Sequence, residues 1–227
     1  DSANLTNNGT DTSTGYGFKV GVQAEAAPGL NLAASYQTKM NMSKFDKYKG
    51  LFAEQGDFDV PATWTVGLAW DVQPKNVVTF DVQKIMYGDV AAIANPISYL
   101  VGSSNSCAVD GLTSPRCLGG SEGAGFGWTD MTIYKLGYQW EASADWTWRV
   151  GYSHGTHPIP ATEVVFNILA PAIIEDHATF GFTNKTSATS ELNFRFMHAL
   201  ENSVNGANTL NPSQQVTLKM KQYEAEL

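Results

Sequence analysis

The sequence has no long hydrophobic run and few charged residues. Only 16% of its 227 residues are Asp, Glu, Lys or Arg, and the mean hydropathy is -0.20. No segment approaches the ~20 consecutive apolar residues that a membrane-spanning helix needs, so a helical membrane protein is excluded. A transmembrane β-barrel is not excluded, because its strands alternate apolar lipid-facing residues with polar interior residues.

Basic residues are also scarce. The chain has 14 Lys and Arg residues against 22 Asp and Glu, which gives a formal net charge of -8, and the basic residues form no cluster. Nucleic acid is therefore not an expected partner. The chain begins at Asp1 without an initiator Met or an apolar signal core. We expect a mature or excised piece whose export signal lies upstream.

Cysteine is limited to Cys107 and Cys117, ten residues apart in one segment rich in Gly and Ser. Neither has a neighbouring His, and the spacing is not CxxC, so the pair favours a loop disulfide over a metal site. A local disulfide fits an oxidising compartment, although two free thiols would give the same pattern. The sequence indicates no cofactor.

The chain is instead rich in a period-two alternation of apolar and polar residues. In one run Tyr16, Phe18, Val20 and Val22 alternate with Gly and Lys. The same pattern recurs at 31–40, 63–71, 78–83, 132–140, 146–153, 178–183, 192–197 and 216–220. About nine strands of roughly ten residues are predicted, long enough to cross a bilayer at a tilt. Strands in soluble proteins average about five or six residues.

The connections between these strands also alternate. Short turns are predicted near Pro28, Pro74, Ala142 and Lys185, and long polar loops at 42–60, 88–128, 155–174 and 201–214. Outer-membrane barrels have short periplasmic turns and long extracellular loops. Trp and Tyr residues fall toward strand ends, where an interfacial girdle would lie. A soluble β-sandwich is the alternative, but strand length and loop asymmetry favour an all-β, antiparallel transmembrane barrel.

One feature of the last strand has two interpretations. Val216, Leu218 and Met220 share one face, whereas the apolar residues at 223–227 take the other. This change of phase indicates either a β-bulge or a point where the strand crosses the membrane boundary.

Three stretches resemble the C-terminal barrel half of the FadL/TodX family of outer-membrane transporters. Residues 60–70, V-P-A-T-W-T-V-G-L-A-W, are similar to the family's P-A-T-x-x-x-G-L-A strand. The G-W-T-D at 127–130 precedes a strand that carries L-G-Y at 136–138. The W-R-V-G-Y-S at 148–153, followed by P-I-P at 158–160, is similar to LRAGYxxxxxPVP.

The resemblance implies a monomeric, fourteen-stranded barrel in the bacterial outer membrane, plugged by an N-terminal hatch. Members carry long-chain fatty acids or hydrocarbons and release them sideways into the membrane lipid. Residues 1–227 would form the C-terminal part of one such barrel domain, without the hatch and the first strands. The N-P-I at 95–97 lies in a loop and is not the hatch's Asn-Pro-Ala element.

The loop at 41–59 holds the first candidate binding residues. They lie three, three, three and one positions apart, which gathers them on one side of a helix: Met42, Phe45, Tyr48, Leu51 and Phe52. The resemblance implies that this loop helps form a groove that captures substrate. The alternative is a loop helix that only caps the barrel.

The remaining candidates point into the predicted lumen. Met131 and Ile133 would give the interior an apolar surface along which a hydrophobic substrate could pass. Arg149 and Arg195 could bind the carboxylate of a fatty acid. The alternative is that these cations pair with acidic residues or with the hatch.

The sequence does not indicate an enzyme. His154, His157 and His177 could form a metal cluster, but ordinary loop histidines are the simpler interpretation. Ser153 and His154 are adjacent on a strand and face opposite ways, so they do not form a catalytic pair. We therefore predict transport of hydrophobic molecules. The alternatives are a general porin, with a wide charged lumen, and a non-transporting adhesin or structural barrel.

Overall fold

In the computed structural model, which describes residues 4–227, nine long antiparallel strands form a single sheet. Two short strands, β1 (Gly15–Tyr16) and β4 (Asn41–Met42), pair separately. The strands of the main sheet are β2 (Lys19–Ala27), β3 (Leu30–Gln37), β5 (Thr63–Gln73), β6 (Asn76–Ile85), β7 (Met131–Glu141), β8 (Trp146–Gly155), β9 (Asp176–Ser187), β10 (Ser190–Asn208) and β11 (Asn211–Glu226).

The strands lie side by side in chain order from β2 to β11, with β2 and β11 at the two edges. The sheet is therefore open rather than closed into a barrel. No helix in residues 4–227 is long and apolar enough to cross a membrane.

The pairing register places the predicted apolar residues on one face. Phe80 lies opposite Leu68 and Leu136, and Leu136 lies opposite Tyr152. One position along each strand, the polar face carries Gly67 opposite Asp81, Asp81 opposite Lys135, and Lys135 opposite Ser153. Because side chains alternate along a strand, this register keeps the two faces distinct across the sheet.

Aromatic rings cluster on the apolar face beside the short turns. Trp148 contacts four neighbours at ring-centroid distances of 5.3 to 6.3 Å: Trp140, Trp146, Phe180 and Phe182. Phe182 continues the row to Phe194 at 5.4 Å. Trp and Tyr rings favour the boundary between hydrocarbon and water, so this row has the composition of an interfacial girdle.

Short turns follow β2, β5, β7 and β9, as predicted, although the last lies at 188–189 rather than near Lys185. The predicted long loop at 201–214 is wrong. β10 continues to Asn208 and β11 begins at Asn211, so this segment is a tight hairpin that extends beyond the other strands. It is extended because Val204 and Leu218 bury their side chains against the preceding loop.

The buried core of the molecule lies at the end with the long loops. We call the segments 43–58, 88–128, 156–175 and 200–218 the loop cap. Its largest fully buried hydrophobic side chains are Ile97, Ile159, Ile173 and Val164. The last three pack with Val204 and Leu218 of the β10–β11 hairpin. Apolar burial of this kind fixes the loops relative to one another.

Polar side chains also join two of these loops. Glu163 is 5% exposed, and its Oε2 accepts a hydrogen bond from the backbone N–H of Ile97 at 2.8 Å. Asn167 donates to the carbonyl oxygen of Phe126 at 2.8 Å and accepts from Trp128 Nε1 at 2.6 Å. Hydrogen bonds from Glu163 and Asn167 therefore join loops 88–128 and 156–175, and we call these contacts the Glu163 latch. They also give the buried polar groups the partners that such groups require.

Candidate functional site

Four of the five candidates in the first loop, together with Phe58, line an apolar pocket in the loop cap. The open pocket has a volume of about 390 Å³ and is lined by Asp11, Phe45, Tyr48, Leu51, Phe52 and Phe58. Phe52 lies 6.0 Å from Phe45 and 5.0 Å from Phe58 between ring centroids, the latter in an edge-to-face arrangement. Met42 lies elsewhere, in β4, where it pairs with Gly15.

The predicted helix in this loop does not form. A 3-10 turn covers Asp46–Tyr48, and a single helical turn covers Ala53–Gly56, inside which Glu54 and Gln55 have positive φ. The chain therefore turns back sharply and brings Phe58 to the pocket. Sequence analysis missed Phe58 because it lies outside the helical spacing; its position between two Asp residues, Asp57 and Asp59, is only a weak signal.

The N-terminal segment forms one wall of the pocket. Asp11 Oδ2 accepts a hydrogen bond from the backbone N–H of Lys47 at 2.9 Å, and the Tyr48 hydroxyl donates to the carbonyl oxygen of Gly9 at 2.6 Å. Lys47 Nζ donates to the carbonyl oxygen of Thr10, and Lys44 Nζ to that of Glu54. Both nearby ammonium groups thus point to backbone oxygens.

An ion pair supports the base of the pocket loop. Lys39 Nζ lies 2.8 Å from Asp59 Oδ2, and the backbone N–H of Met42 donates to Asp59 Oδ1 at 2.7 Å. Burial raises the pKa of Asp59, but hydrogen bonds from Lys39 and Met42 outweigh it and hold this pKa below its ordinary value. Burial, with the charges of Asp59 and Glu54, raises the pKa of neighbouring Asp57.

The candidate cations on the polar face have partners. Arg149 donates to Gln139 Oε1 at 2.7 Å and to Thr183 Oγ1 at 2.8 Å. Arg195 pairs with Glu224 at 2.8 Å and with Glu226. Both arginines line an open hollow of about 720 Å³. The structure therefore agrees with the interpretation in which Arg195 pairs with acidic residues.

Met131 and Ile133 lie together at the end of the sheet near the loops. Ile133 is opposite Gly155, and a side chain on Gly155 would meet Met131 and Ile133 at 2.8 and 3.3 Å. The glycine leaves room for both on the polar face, which they share with Lys135. The two predicted lumen-facing apolar residues thus form a local patch, about two residues deep along the strand.

The histidines and cysteines do not form a catalytic or metal centre among residues 4–227. His154 Nδ1 lies 2.7 Å from Asp176, and His157 Nε2 lies 3.9 Å from Glu175. In this described part of the chain, no group of three His, Cys, Asp or Glu residues is placed to hold a metal ion. Cys107 and Cys117 are joined in a disulfide within loop 88–128.

Solved structures with the same fold include outer-membrane channels. The Pseudomonas putida toluene transporter TodX is similar with a TM-score of 0.59 and 19% identity, over 94% of this chain and 48% of that one. A Pseudomonas aeruginosa FadL homologue has a TM-score of 0.53 and 14% identity, over 92% of this chain and 49% of that one. This chain thus spans about half the length of these relatives. No curated protein sequence matches it.

The family model described as "Outer membrane protein transport protein (OMPP1/FadL/TodX)" matches residues 1–225. This match covers nearly the whole chain and agrees with the antiparallel sheet, the short turns and the long loops. The chain belongs to the OMPP1/FadL/TodX family of outer-membrane proteins.

Proposed function

We propose that this chain is part of a monomeric outer-membrane channel that captures hydrophobic molecules in its loop cap and passes them through the barrel without covalent chemistry. The observation that carries the proposal is the pocket of Phe45, Tyr48, Leu51, Phe52 and Phe58 in the loop cap, at the end of the sheet with the long loops. An apolar solute gains about 25 cal/mol for each Å² of apolar surface removed from water. Such a pocket would concentrate lipophiles at the cell surface.

The chemistry of the pocket favours uncharged ligands. Among residues 4–227, the one charged side chain that lines it is the carboxylate of Asp11, and the nearby Lys44 and Lys47 ammonium groups donate to backbone oxygens. A fatty-acid carboxylate would meet the negative charge of Asp11 and no cation in this lining. An aromatic or aliphatic hydrocarbon is thus the better candidate for this pocket. The toluene transporter TodX shares the fold, which supports this choice.

We propose that the ligand then passes through the interior along the polar face of the sheet. Met131 and Ile133 form an apolar patch there, next to the loop cap. Beyond them, Arg149 and Arg195 already bond to neighbouring side chains. Both could reorganise toward a carboxylate, so we retain fatty acids as the second ligand class. An N-terminal hatch and further strands, which the sheet needs for closure, would complete the path.

The test is uptake of radiolabelled toluene and oleate by cells that express the protein in an otherwise uptake-deficient strain. Phe52→Asp replaces an apolar wall of the pocket with a carboxylate, so we expect toluene uptake to fall about tenfold or more, equivalent to about 1.4 kcal/mol of binding free energy. Leu112→Asp is the matched control, because Leu112 is 93% exposed in the same cap and lies outside the pocket.

Normal toluene uptake by Phe52→Asp would rule out capture in this pocket. Uptake of sugars or ions at the rate of a stable open pore would favour a general porin instead. If toluene and oleate enter no faster than in cells without the protein, a non-transporting adhesin or structural barrel becomes the better interpretation.

A further inference from the structure

Two consecutive residues of the pocket loop adopt an unusual backbone conformation. Glu54 and Gln55 have φ values of 54° and 65°, in the left-handed region that disfavours residues with a side chain. They lie between Phe52 and Phe58, two of the rings that line the pocket. The reversal at these two residues is what brings both rings together, so the shape of the pocket depends on holding it.

A second loop holds this reversal from outside. The backbone N–H of Glu54 donates to the carbonyl oxygen of Gly120 at 2.7 Å, and that of Gln55 to Gly119 at 3.0 Å. Ala53, the residue before them, is fully buried. Residues in sparsely populated backbone regions persist only where the surroundings over-determine them. Loop 88–128 supplies those surroundings.

The disulfide lies directly beside this contact. Cys117 is two residues before Gly119, and its carbonyl oxygen accepts a hydrogen bond from Gly120 N–H at 2.9 Å. Gly119 has φ of 76°, and a side chain there would collide with the carbonyl oxygen of Lys49. The bond to Cys107 restrains the chain that presents the two carbonyl groups, since a closed loop has fewer alternative conformations.

We propose that the disulfide-bonded segment 107–120 is a positioning element for the hydrophobe pocket, acting through the carbonyl groups of Gly119 and Gly120 on Glu54 and Gln55. This inference rests on the proposed function, because it assigns a role in ligand binding to a segment that does not line the pocket. Its role is to keep Phe52 and Phe58 at a binding distance before the ligand arrives. Preorganised sites bind more tightly because less order must be imposed on binding.

The test uses the protein in lipid nanodiscs and the uncharged aromatic dye N-phenyl-1-naphthylamine, with the signal of empty nanodiscs subtracted. We expect the Cys107→Ser/Cys117→Ser double variant and Gly119→Ala each to weaken dye binding about tenfold, because the reversal loses its restraint. Ser104→Ala is the matched control. Ser104 lies in the same loop but outside segment 107–120, and its side chain is exposed.

A second measurement separates this inference from the proposed function. Hydrogen exchange at the amides of Glu54 and Gln55 reports their hydrogen bonds to Gly120 and Gly119 without any ligand. The exchange should be faster in the double variant and in Gly119→Ala than in Ser104→Ala. Unchanged exchange and unchanged dye affinity in both variants, with native mobility on unheated gels, would overturn the positioning role. Faster exchange combined with dye binding that Phe52→Asp does not weaken would instead overturn the pocket as the ligand site.

Discussion

Val20, Val22 and Trp70 in the sheet are more than half exposed, whereas Ile97 and Ile173 in the loop cap are at most 1% exposed. The two regions bury apolar surface against different partners. The sheet, which we call the wall, leaves its apolar face exposed, as expected for a surface that meets lipid. The loop cap instead packs against itself like a soluble domain. The two regions are therefore stabilised in different ways, and the same kind of substitution should change the free energy of unfolding differently in each.

The largest effect is expected from Ile173→Ala in the cap. It leaves a cavity among Val164, Val204 and Leu218, and such truncations cost about 2–5 kcal/mol. Val150→Ala on the wall should cost less, because lipid fills the space. The stability lost in each variant is measured by urea unfolding of the reconstituted protein and by hydrogen exchange of the cap amides. Equal losses would break the distinction between the regions.

A charge on the wall is expected to have the next largest effect. Phe180, opposite Val150 and Phe196, lies in the middle of the apolar face. Phe180→Arg should cost about 2–4 kcal/mol in folding into lipid vesicles, as charges at the bilayer midplane do. Thr179→Arg, on the opposite face, is the control and should fold almost normally. A mild effect of Phe180→Arg would mean that this face does not meet hydrocarbon.

The aromatic girdle should make a smaller contribution. Trp148→Ala removes four ring contacts, and each such pair is worth about 0.5–1.5 kcal/mol beyond its area. Because lipid can fill the space that the Trp148 ring leaves, we expect the free energy of unfolding in urea to fall by only about 1–2 kcal/mol. Trp70→Ala is a suitable comparison, since Trp70 has no ring partner among residues 4–227. Equal losses would argue against the ring contacts.

The smallest effect concerns protonation in the cap. Burial raises the pKa of Glu163 above its ordinary value, although hydrogen bonds from Ile97 and Thr162 oppose the shift. The folded cap thus holds this proton more tightly than the unfolded chain. Its contribution to stability is fully present below the ordinary Glu pKa and is lost as pH rises through the raised one.

Limited proteolysis of loop 88–128 between about pH 5 and pH 8 tests this sign. Cleavage of the native protein should accelerate with pH, and Glu163→Gln should flatten the response because its amide mimics the protonated acid. Glu191→Gln, on the wall, should leave the pH response of the cap unchanged. A response that persists in Glu163→Gln would assign it to another group.

The phase change on β11 shows how the two regions meet. The backbone of β11 has no inserted residue, so its side chains alternate regularly between the two faces. The one-residue bulge lies on the neighbouring strand β10, between Ala199 and Asn202. Leu218 faces the cap core, and Tyr223, further down the same strand, lies on the wall face, stacked on His198. Both interpretations of the sequence pattern therefore contain part of the answer: the strand passes from cap to wall, and the bulge lies on its neighbour.

The errors in the sequence-based predictions fall in the cap. Segment 201–214 is rich in Asn, Gly and Ser, a composition typical of loops, but packing against loop 156–175 extends it as a hairpin. The spacing of Phe45 and Tyr48 predicted a helix, but contacts from Gly119 and Gly120 hold the next residues in a reversal. Tertiary contacts overrode local propensity at both places.

The alternation of apolar and polar residues predicts the strands of the wall and their two faces, and three short motifs carry the family resemblance. Lipid and lumen impose a period of two on each strand separately, so this information is local in the sequence. Only the tertiary structure decided the pocket, the Glu163 latch and the partners of Arg195. These depend on which distant loops meet, because backbone carbonyl groups and buried acids can be placed only by contacts between residues far apart in the chain.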